Sequence, residues 1–445
     1  VIRRWLNRGR CIAVFRLKPA PNARGSQDKR NADPPMADRS SILIAHSSAA
    51  KPLPRTLADA TILQIVPSLR DEPAARVAVQ TAIGLVQSGA RALVAGAPGA
   101  LAGKLQIAGG EWIPLINDTM NPLRLRRNAT MLEKLISAER IDVIHAHGAA
   151  AAWSALSATA HLPVWLVTTL PDAPPTSGGL RSFFSGALMR GDRIVATSSF
   201  AAGRVIERFG IPAERVAVVP RSVDTRLFDP AGIDLRRLAA IRTAARIHRN
   251  QRIILAPGRV TAANGQHVLV EAAAILADRG LRGCVFVLAG DDHSDRSYAR
   301  ALMARINKLG LEPIFRLTAR FRDMPATLAT SHLVVRPALE SPVSGRTVAE
   351  AQAMARPVIT TQVGILPEHV LAPPRMPDAL RTGWLVQPGD PMELADAIGT
   401  AMGLDDTAYQ ALAARARQFA QFMFSPESVV SATRAVYTAL LARDH

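Results

Sequence analysis

Residues 340–360 read ESPVSGRTVAEAQAMARPVIT. A loop of Ser, Pro, Val and Gly leads into a stretch with helical spacing, which leads in turn into an apolar run. The first N–H groups of such a helix have no intrahelical partner, and glycine lets a ligand approach them closely. Loop, helix and short buried strand make up the repeating unit of a parallel sheet. Two carboxylates flank the turn, Glu340 before it and Glu350 one turn inside the helix.

The same unit recurs outward from this stretch. Short apolar runs stand before it at IILAPG (253–258), CVFVLAGDD (284–292), IFRLT (314–318) and LVVRP (333–337), and after it at PVITT (357–361) and GWLVQPG (383–389). An earlier series comprises TILQIV (61–66), RALVAG (91–96), EWIPL (111–115), IDVIHAH (141–147), VWLVTT (164–169), DRIVATS (192–198) and RVAVVP (215–220). Helix-like segments fill the intervals, while DTRLFDPAGIDLRRLAAIRTAARIHRN (224–250) has no clear strand and reads as a connection. The expected fold class is therefore α/β, with two Rossmann-like parallel-sheet domains facing a central cleft. Ligands of such sheets bind beyond the carboxyl ends of the strands.

Composition narrows the function classes. A chain of 445 residues, 48% hydrophobic and 20% charged, is long enough for two globular cores. Its two cysteines, Cys11 and Cys284, lie far apart and form neither a disulfide framework nor a metal-ligand pattern, which fits a reducing, cytoplasmic setting. The net charge is +18, and of the 54 basic residues 48 are Arg and 6 are Lys. With 4% aromatics and no nucleic-acid-binding motif, a nucleic-acid partner is not expected. An anionic membrane surface or a phosphorylated substrate accounts for the charge equally well, as does ordinary solvated Arg. The most apolar stretch, AAAAWSALSATAHLPVWLV (149–167), is interrupted by Ser, Thr, His161 and Pro163 and reads as helix, loop and strand. The first 35 residues hold nine Lys or Arg against Asp28 and Asp33, and Met36 follows. We expect an unstructured basic extension over 1–57, with Met36 as the start; a basic amphipathic anchor is the alternative.

Between Thr61 and Leu441 the chain resembles family 4 glycosyltransferases of the GT-B architecture. The resemblance rests on an ordered set of segments: LQIVPSL, DVIHAHG, VATSSFAAGRVIERFGIP, VVPRSVD, LAPGRVTAANGQHVLVEA, LAGDD, EAQAMARPVITTQVG, TGWLVQPGDP and FSPESVVSATRAVYTALL. It implies an acceptor-side domain over 58–225, a connection over 226–250, a nucleotide-sugar domain over 251–405, and C-terminal helices over 406–445 that pack back on the first domain. It further implies a UDP- or GDP-linked donor, a cell-envelope lipid or polysaccharide acceptor, retention of stereochemistry, and neither cofactor nor metal. The setting would be cytoplasmic or peripheral, at the inner face of the plasma membrane.

The chemistry says which residue types to seek. Positive charge develops at the anomeric carbon while the nucleoside diphosphate leaves with negative charge, so cations and N–H groups belong at the diphosphate. The resemblance places Gly258, Arg259, Asn264 and Gly265 at the phosphates, Asn264 standing where relatives carry Lys. It sets Gly345, Arg346 and Thr347 at the helix start, Glu350 at the ribose and Glu368 near the donor sugar. His145 and His147 would face the cleft as catalytic candidates. The family's first acidic residue falls on Pro342, and Glu340, two positions earlier, is the candidate to replace it. The glycine pair of the first loop falls on Glu72–Pro73, and the cleft histidine on Pro171 with Asp172 beside it. Asp291 and Asp292 lie near the base. These departures keep open a second reading, a non-catalytic GT-B protein that binds nucleotide, sugar or a partner enzyme. A third is a nucleotide-sugar epimerase, whose acid/base set is not visible in the sequence.

Overall fold

The computed structural model describes residues 55–170, 186–290, 295–319, 321–342 and 344–443. Thirteen strands among these form two wholly parallel sheets. The first contains β1 (Thr61–Ser68), β2 (Arg91–Ala97), β3 (Glu111–Pro114), β4 (Val143–His147), β5 (Trp165–Thr169), β6 (Arg193–Ala196) and β7 (Val216–Val218), in the order β3-β2-β1-β4-β5-β6-β7. The second contains β8 (Arg252–Pro257), β9 (Cys284–Ala289), β10 (Phe315–Thr318), β11 (Leu333–Arg336), β12 (Val358–Thr361) and β13 (Gly383–Val386), in the order β10-β9-β8-β11-β12-β13. Every strand expected from the sequence is present, because runs buried on both faces read as continuous apolar segments.

The order in each sheet reverses beside its first strand. In the first sheet Ile62 of β1 lies between Ala92 of β2 and Val143 of β4. In the second, Ile254 of β8 lies between Phe286 of β9 and Leu333 of β11. The loops after β1, β4, β8 and β11 therefore open at the switch points where such sheets bind ligands. Each sheet carries a core on both faces. Leu63, Ile65, Leu132 and Ile144 pack on one side of the first, with Ile62, Val66, Val143 and Tyr437 on the other.

Two long helices end the chain. The first, Asp406–Phe424, starts on an Asp405 cap and buries Phe419, Ala420 and Phe424 against the second sheet. The path crosses at Ser425, which caps the next helix through the Ser428 N–H. That last helix, Pro426–Leu441, joins the core of the first sheet through Val429, Val436, Tyr437, Leu440 and Leu441. A backbone hydrogen bond from the Val223 N–H to the Phe424 carbonyl (2.7 Å) ties the segment after β7 to the crossing point.

Candidate functional site

The loop after β8 is built around two glycines with positive φ, Gly258 at 139° and Gly265 at 69°. A Cβ on Gly258 would strike the Arg336 guanidinium, and one on Gly265 would strike the Pro337 carbonyl. Both positions thus need glycine for conformation and for close approach. Between them, Asn264 Nδ2 donates to the Arg259 carbonyl (2.7 Å) and to Thr261 Oγ1 (3.1 Å). Gln266 Nε2 donates to the same carbonyl (2.8 Å), and its Oε1 is buried without a partner among the described residues. This bracing leaves the Arg259 side chain exposed, with no hydrogen bond or ion pair to the described residues. The N–H groups of Leu339 and Glu340 donate to the Ala263 carbonyl (2.9 and 3.3 Å), which brings the opening stretch onto the same loop. Gly258, Arg259, Asn264, Gly265 and Glu340 are therefore neighbours, and Glu340 is exposed.

The helix Arg346–Ala353 follows, with Gly345 as its N-cap and no side chain capping its first N–H groups. Gly345 rests on the His369 ring, which a Cβ there would enter. His369 in turn lies flat on Phe424 (4.8 Å between centroids) and bonds the Ile365 carbonyl through Nδ1 (3.1 Å). Glu350 is buried, and its Oε1 accepts from Arg346 Nε at 2.6 Å. The residue expected at a ribose is thus held by a cation one turn earlier on the same helix. Thr347 is half-buried beside them, and Pro342 carries no carboxylate for a substrate.

Glu368 does something the sequence did not announce. Its carboxylate accepts from the N–H groups of Ser199 (2.8 Å) and Phe200 (2.7 Å), the first residues of the helix Ser199–Phe209. A residue of the second sheet's domain thereby caps a helix of the first, where an anion also suits the helix dipole. Burial pushes its carboxyl above the usual range, against the pull of those N–H donors. Glu368→Ala should lower stability by about 1–2 kcal/mol, read as a shifted urea midpoint. A midpoint equal to wild type would show that this bridge carries no stability.

His145 and His147 sit at the end of β4 with rings 4.2 Å apart. His145 Nδ1 bonds Tyr437 Oη (2.6 Å) and Nε2 bonds Thr169 Oγ1 (2.6 Å). Both ring nitrogens are spent on the protein, so in this structure His145 joins β4 and β5 to the last helix and offers no nitrogen to a ligand. His147 Nε2 donates to Gln64 Oε1 (3.3 Å), while Gln64 Nε2 donates to the Ala78 carbonyl (2.7 Å). Burial, with the nearby Arg221 cation, lowers the His147 pKa to about 4. It is therefore neutral at pH 7, with Nδ1 the only nitrogen left for a ligand.

At the first loop, Glu72 precedes a helix that opens on Pro73, and Asp71 Oδ1 pairs with Arg76 Nε at 2.6 Å. A carboxylate and a Pro thus occupy the place of the glycine pair. Pro171, Asp172, Asp291 and Asp292 lie outside the described residues, as does the extension up to residue 54. Among the described residues no group of three His, Cys, Asp or Glu is placed to hold a metal ion. Among them, too, no helix is long and apolar enough to cross a membrane. Arg336, at the end of β11 and against the loop after β8, is not among the residues expected from the sequence. A lone Arg closing the apolar run LVVRP was the available signal.

Known proteins match this chain in sequence and in fold. The family model for group 1 glycosyl transferases matches residues 251–403, and that for glycosyltransferase family 4 matches residues 74–227. Together the two matches span more than half of the chain, one on each sheet. The chain belongs to the group 1, family 4 glycosyltransferases. Its architecture is GT-B, as in the glycosyltransferase from Rickettsia africae (TM-score 0.70, 24% identity, covering 87% of this chain and 100% of that one). Anabaena Alr3699/HepE in complex with UDP-glucose has the same fold (TM-score 0.62, 21% identity, 85% of this chain and 99% of that one). In sequence, this glycosyltransferase is 30% identical over 260 residues to the D-inositol 3-phosphate glycosyltransferase of Streptomyces scabiei, covering 57% of this chain and 55% of that one. It is 26% identical over 247 residues to the putative colanic acid biosynthesis glycosyltransferase WcaL of Escherichia coli, covering 54% and 55%. The chain spans about half the length of these sequence relatives.

Proposed function

We propose that this protein transfers a sugar, with retention, from a UDP- or GDP-linked donor to a cell-envelope lipid or polysaccharide acceptor. The observation that carries the reading is the unengaged Arg259 guanidinium on a glycine-hinged loop. That loop is hydrogen-bonded to the segment leading into the helix at Gly345. A guanidinium and helix N–H groups are the donors a departing diphosphate needs. In the reaction the bond from the anomeric carbon to the diphosphate breaks and its electron pair leaves with phosphate. The acceptor oxygen then bonds that carbon, and its proton goes to the leaving group. Names of relatives support the envelope assignment, among them the colanic acid protein above and the lipopolysaccharide outer core galactosyltransferase WaaB (TM-score 0.56, 12% identity, covering 85% of this chain and 99% of that one).

A surface on the first domain supports an acceptor at an anionic membrane. Leu123 is 81% exposed, Ile116 50% and Met120 40%, and Arg124, Arg126 and Arg127 are exposed beside them. Exposed apolar side chains close in sequence to exposed Arg suit an acidic bilayer face.

Calorimetry with UDP, GDP and their sugars tests the donor reading. Wild type should bind one nucleotide series, and Arg259→Ala should weaken that binding by about 10- to 100-fold, the range for a charge-assisted contact. A folded wild type that binds no nucleotide would sink the proposal. The second reading, binding without turnover, draws on Asn264 in place of Lys and on the Arg346 clamp over Glu350. Slow donor hydrolysis by wild type that disappears in Arg259→Ala would exclude it.

A further inference from the structure

Arg336 is the unexplained charge in this half of the molecule. It closes β11, is half-buried there, and Nη1 donates to the Pro257 carbonyl at 2.5 Å. Nη2 donates to Asn264 Oδ1 at 3.3 Å. No carboxylate among the described residues pairs with it, although other Arg residues of this domain do find one: Arg305 with Glu271, Arg346 with Glu350, Arg279 with Asp396. A guanidinium has five N–H donors, so three remain after these two contacts. Holding a cation partly out of water without an anion is unfavourable. The fold nonetheless makes room for it, since Gly258 can be nothing larger without striking the guanidinium.

Position gives the charge a purpose. The guanidinium lies against the loop from Gly258 to Asn264, within hydrogen-bond reach of the Asn264 side chain, where the family resemblance implies a Lys. Asn264 cannot supply positive charge, and its amide is already committed to the Arg259 carbonyl and Thr261. We propose that Arg336 is the second cation of the donor's diphosphate subsite, entering from the neighbouring strand to replace the charge missing at Asn264. Arg259 would meet the diphosphate from the solvent side and Arg336 from beneath the loop. The anion then supplies the ion-pair partner that no carboxylate among the described residues gives Arg336. The inference rests on the donor reading proposed above and adds to it the residue that makes the Asn264 departure tolerable.

A brace for the loop is the competing role, and the two differ in what binding should read. Isothermal calorimetry would compare a nucleoside with its diphosphate on wild type, Arg336→Met, Arg336→Gln and Arg336→Lys. Met fills the volume, Gln keeps a donor for the Pro257 carbonyl, and Lys keeps the charge, so loss of charge can be read on a folded protein. Diphosphate affinity should fall about 10- to 100-fold in the Met and Gln variants while nucleoside affinity stays within twofold of wild type. Lys should bind the diphosphate several-fold tighter than Met or Gln. Adding Asn264→Lys to Arg336→Gln should recover about tenfold or more of the loss. Wild-type diphosphate affinity in the Gln variant would overturn the proposal, as would an equal loss for nucleoside and diphosphate, or no recovery with Asn264→Lys. If wild type binds no nucleoside diphosphate, this inference and the donor reading fall together; if wild type binds and Arg336→Gln binds as tightly, this one falls alone.

Discussion

Tyr437→Ala is expected to destabilise the protein by about 3–5 kcal/mol, the range for deleting a large buried aromatic ring. The ring is 0% exposed and belongs to the same core as Val143, Trp165, Val436 and Leu440. Truncation opens a cavity between the last helix and the first sheet, and it strands His145 Nδ1, whose partner at 2.6 Å was the phenol oxygen. Tyr437→Phe separates the two contributions, because it keeps the packing and removes only the hydroxyl. That variant should lose about 1–3 kcal/mol, the cost of leaving a buried polar atom unpaired. Urea unfolding of the three proteins gives the comparison. A loss below 1 kcal/mol in Tyr437→Ala would mean that the last helix does not anchor on this sheet as described. Nucleotide binding by folded Tyr437→Phe should be unchanged, since none of the proposed donor residues touches Tyr437.

Acid should begin to destabilise the protein above the pH at which its carboxylates titrate. His147, His332 and His369 each have a pKa lowered to about 4, chiefly by burial, and burial holds His145 well below the usual value too. A base whose pKa is lower in the folded state binds its proton more weakly there. The unfolded chain, with histidines near 6.5, takes up more protons as pH falls, so stability is whole above about pH 6.5 and drains away toward pH 4. For fully buried His147 and His369 the loss is about 2 kcal/mol each by pH 5 and about 3 kcal/mol each by pH 4. Arg221 adds to the effect at His147, and Arg252 and Arg356 add to it at His332, where Asp406 opposes. Glu368, whose carboxyl is pushed up, works in the other direction and softens the fall. Because typical domains hold only about 5–15 kcal/mol, the summed loss is enough for cooperative unfolding between pH 6 and 4. Urea midpoints measured at pH 7.5, 6 and 5 should fall steeply. Equal midpoints at pH 7.5 and 5 would contradict the buried, neutral histidines.

Most of the architecture was legible in order and period. Runs such as TILQIV and CVFVLA are apolar without alternation because both faces of their strands are covered, and each lies in its sheet as expected. The glycines of the loop after β8 could be read as residues, but that Gly258 meets Arg336 and Gly265 the Pro337 carbonyl is set by the fold. Less of the chemistry could be read. His145 at a strand end looks the same in sequence whether it meets a ligand or, as here, Thr169 and Tyr437. Its partner lies 292 positions away, and only folding brings the two together. Glu368 followed the same course, its carboxylate engaged by N–H groups 168 and 169 positions earlier.

The sequence by itself determined two parallel sheets, the succession of their strands and the helix that opens at Gly345, since these follow from short-range periodicity. Tertiary structure alone decided which polar groups remain available. Among the described residues Arg259 stays unengaged and Arg336 is left without an anion, while Glu350, Glu368 and both nitrogens of His145 are taken by the protein. Availability depends on which distant donors and acceptors share a buried space, and a desolvated polar atom must find its partner wherever the fold puts one.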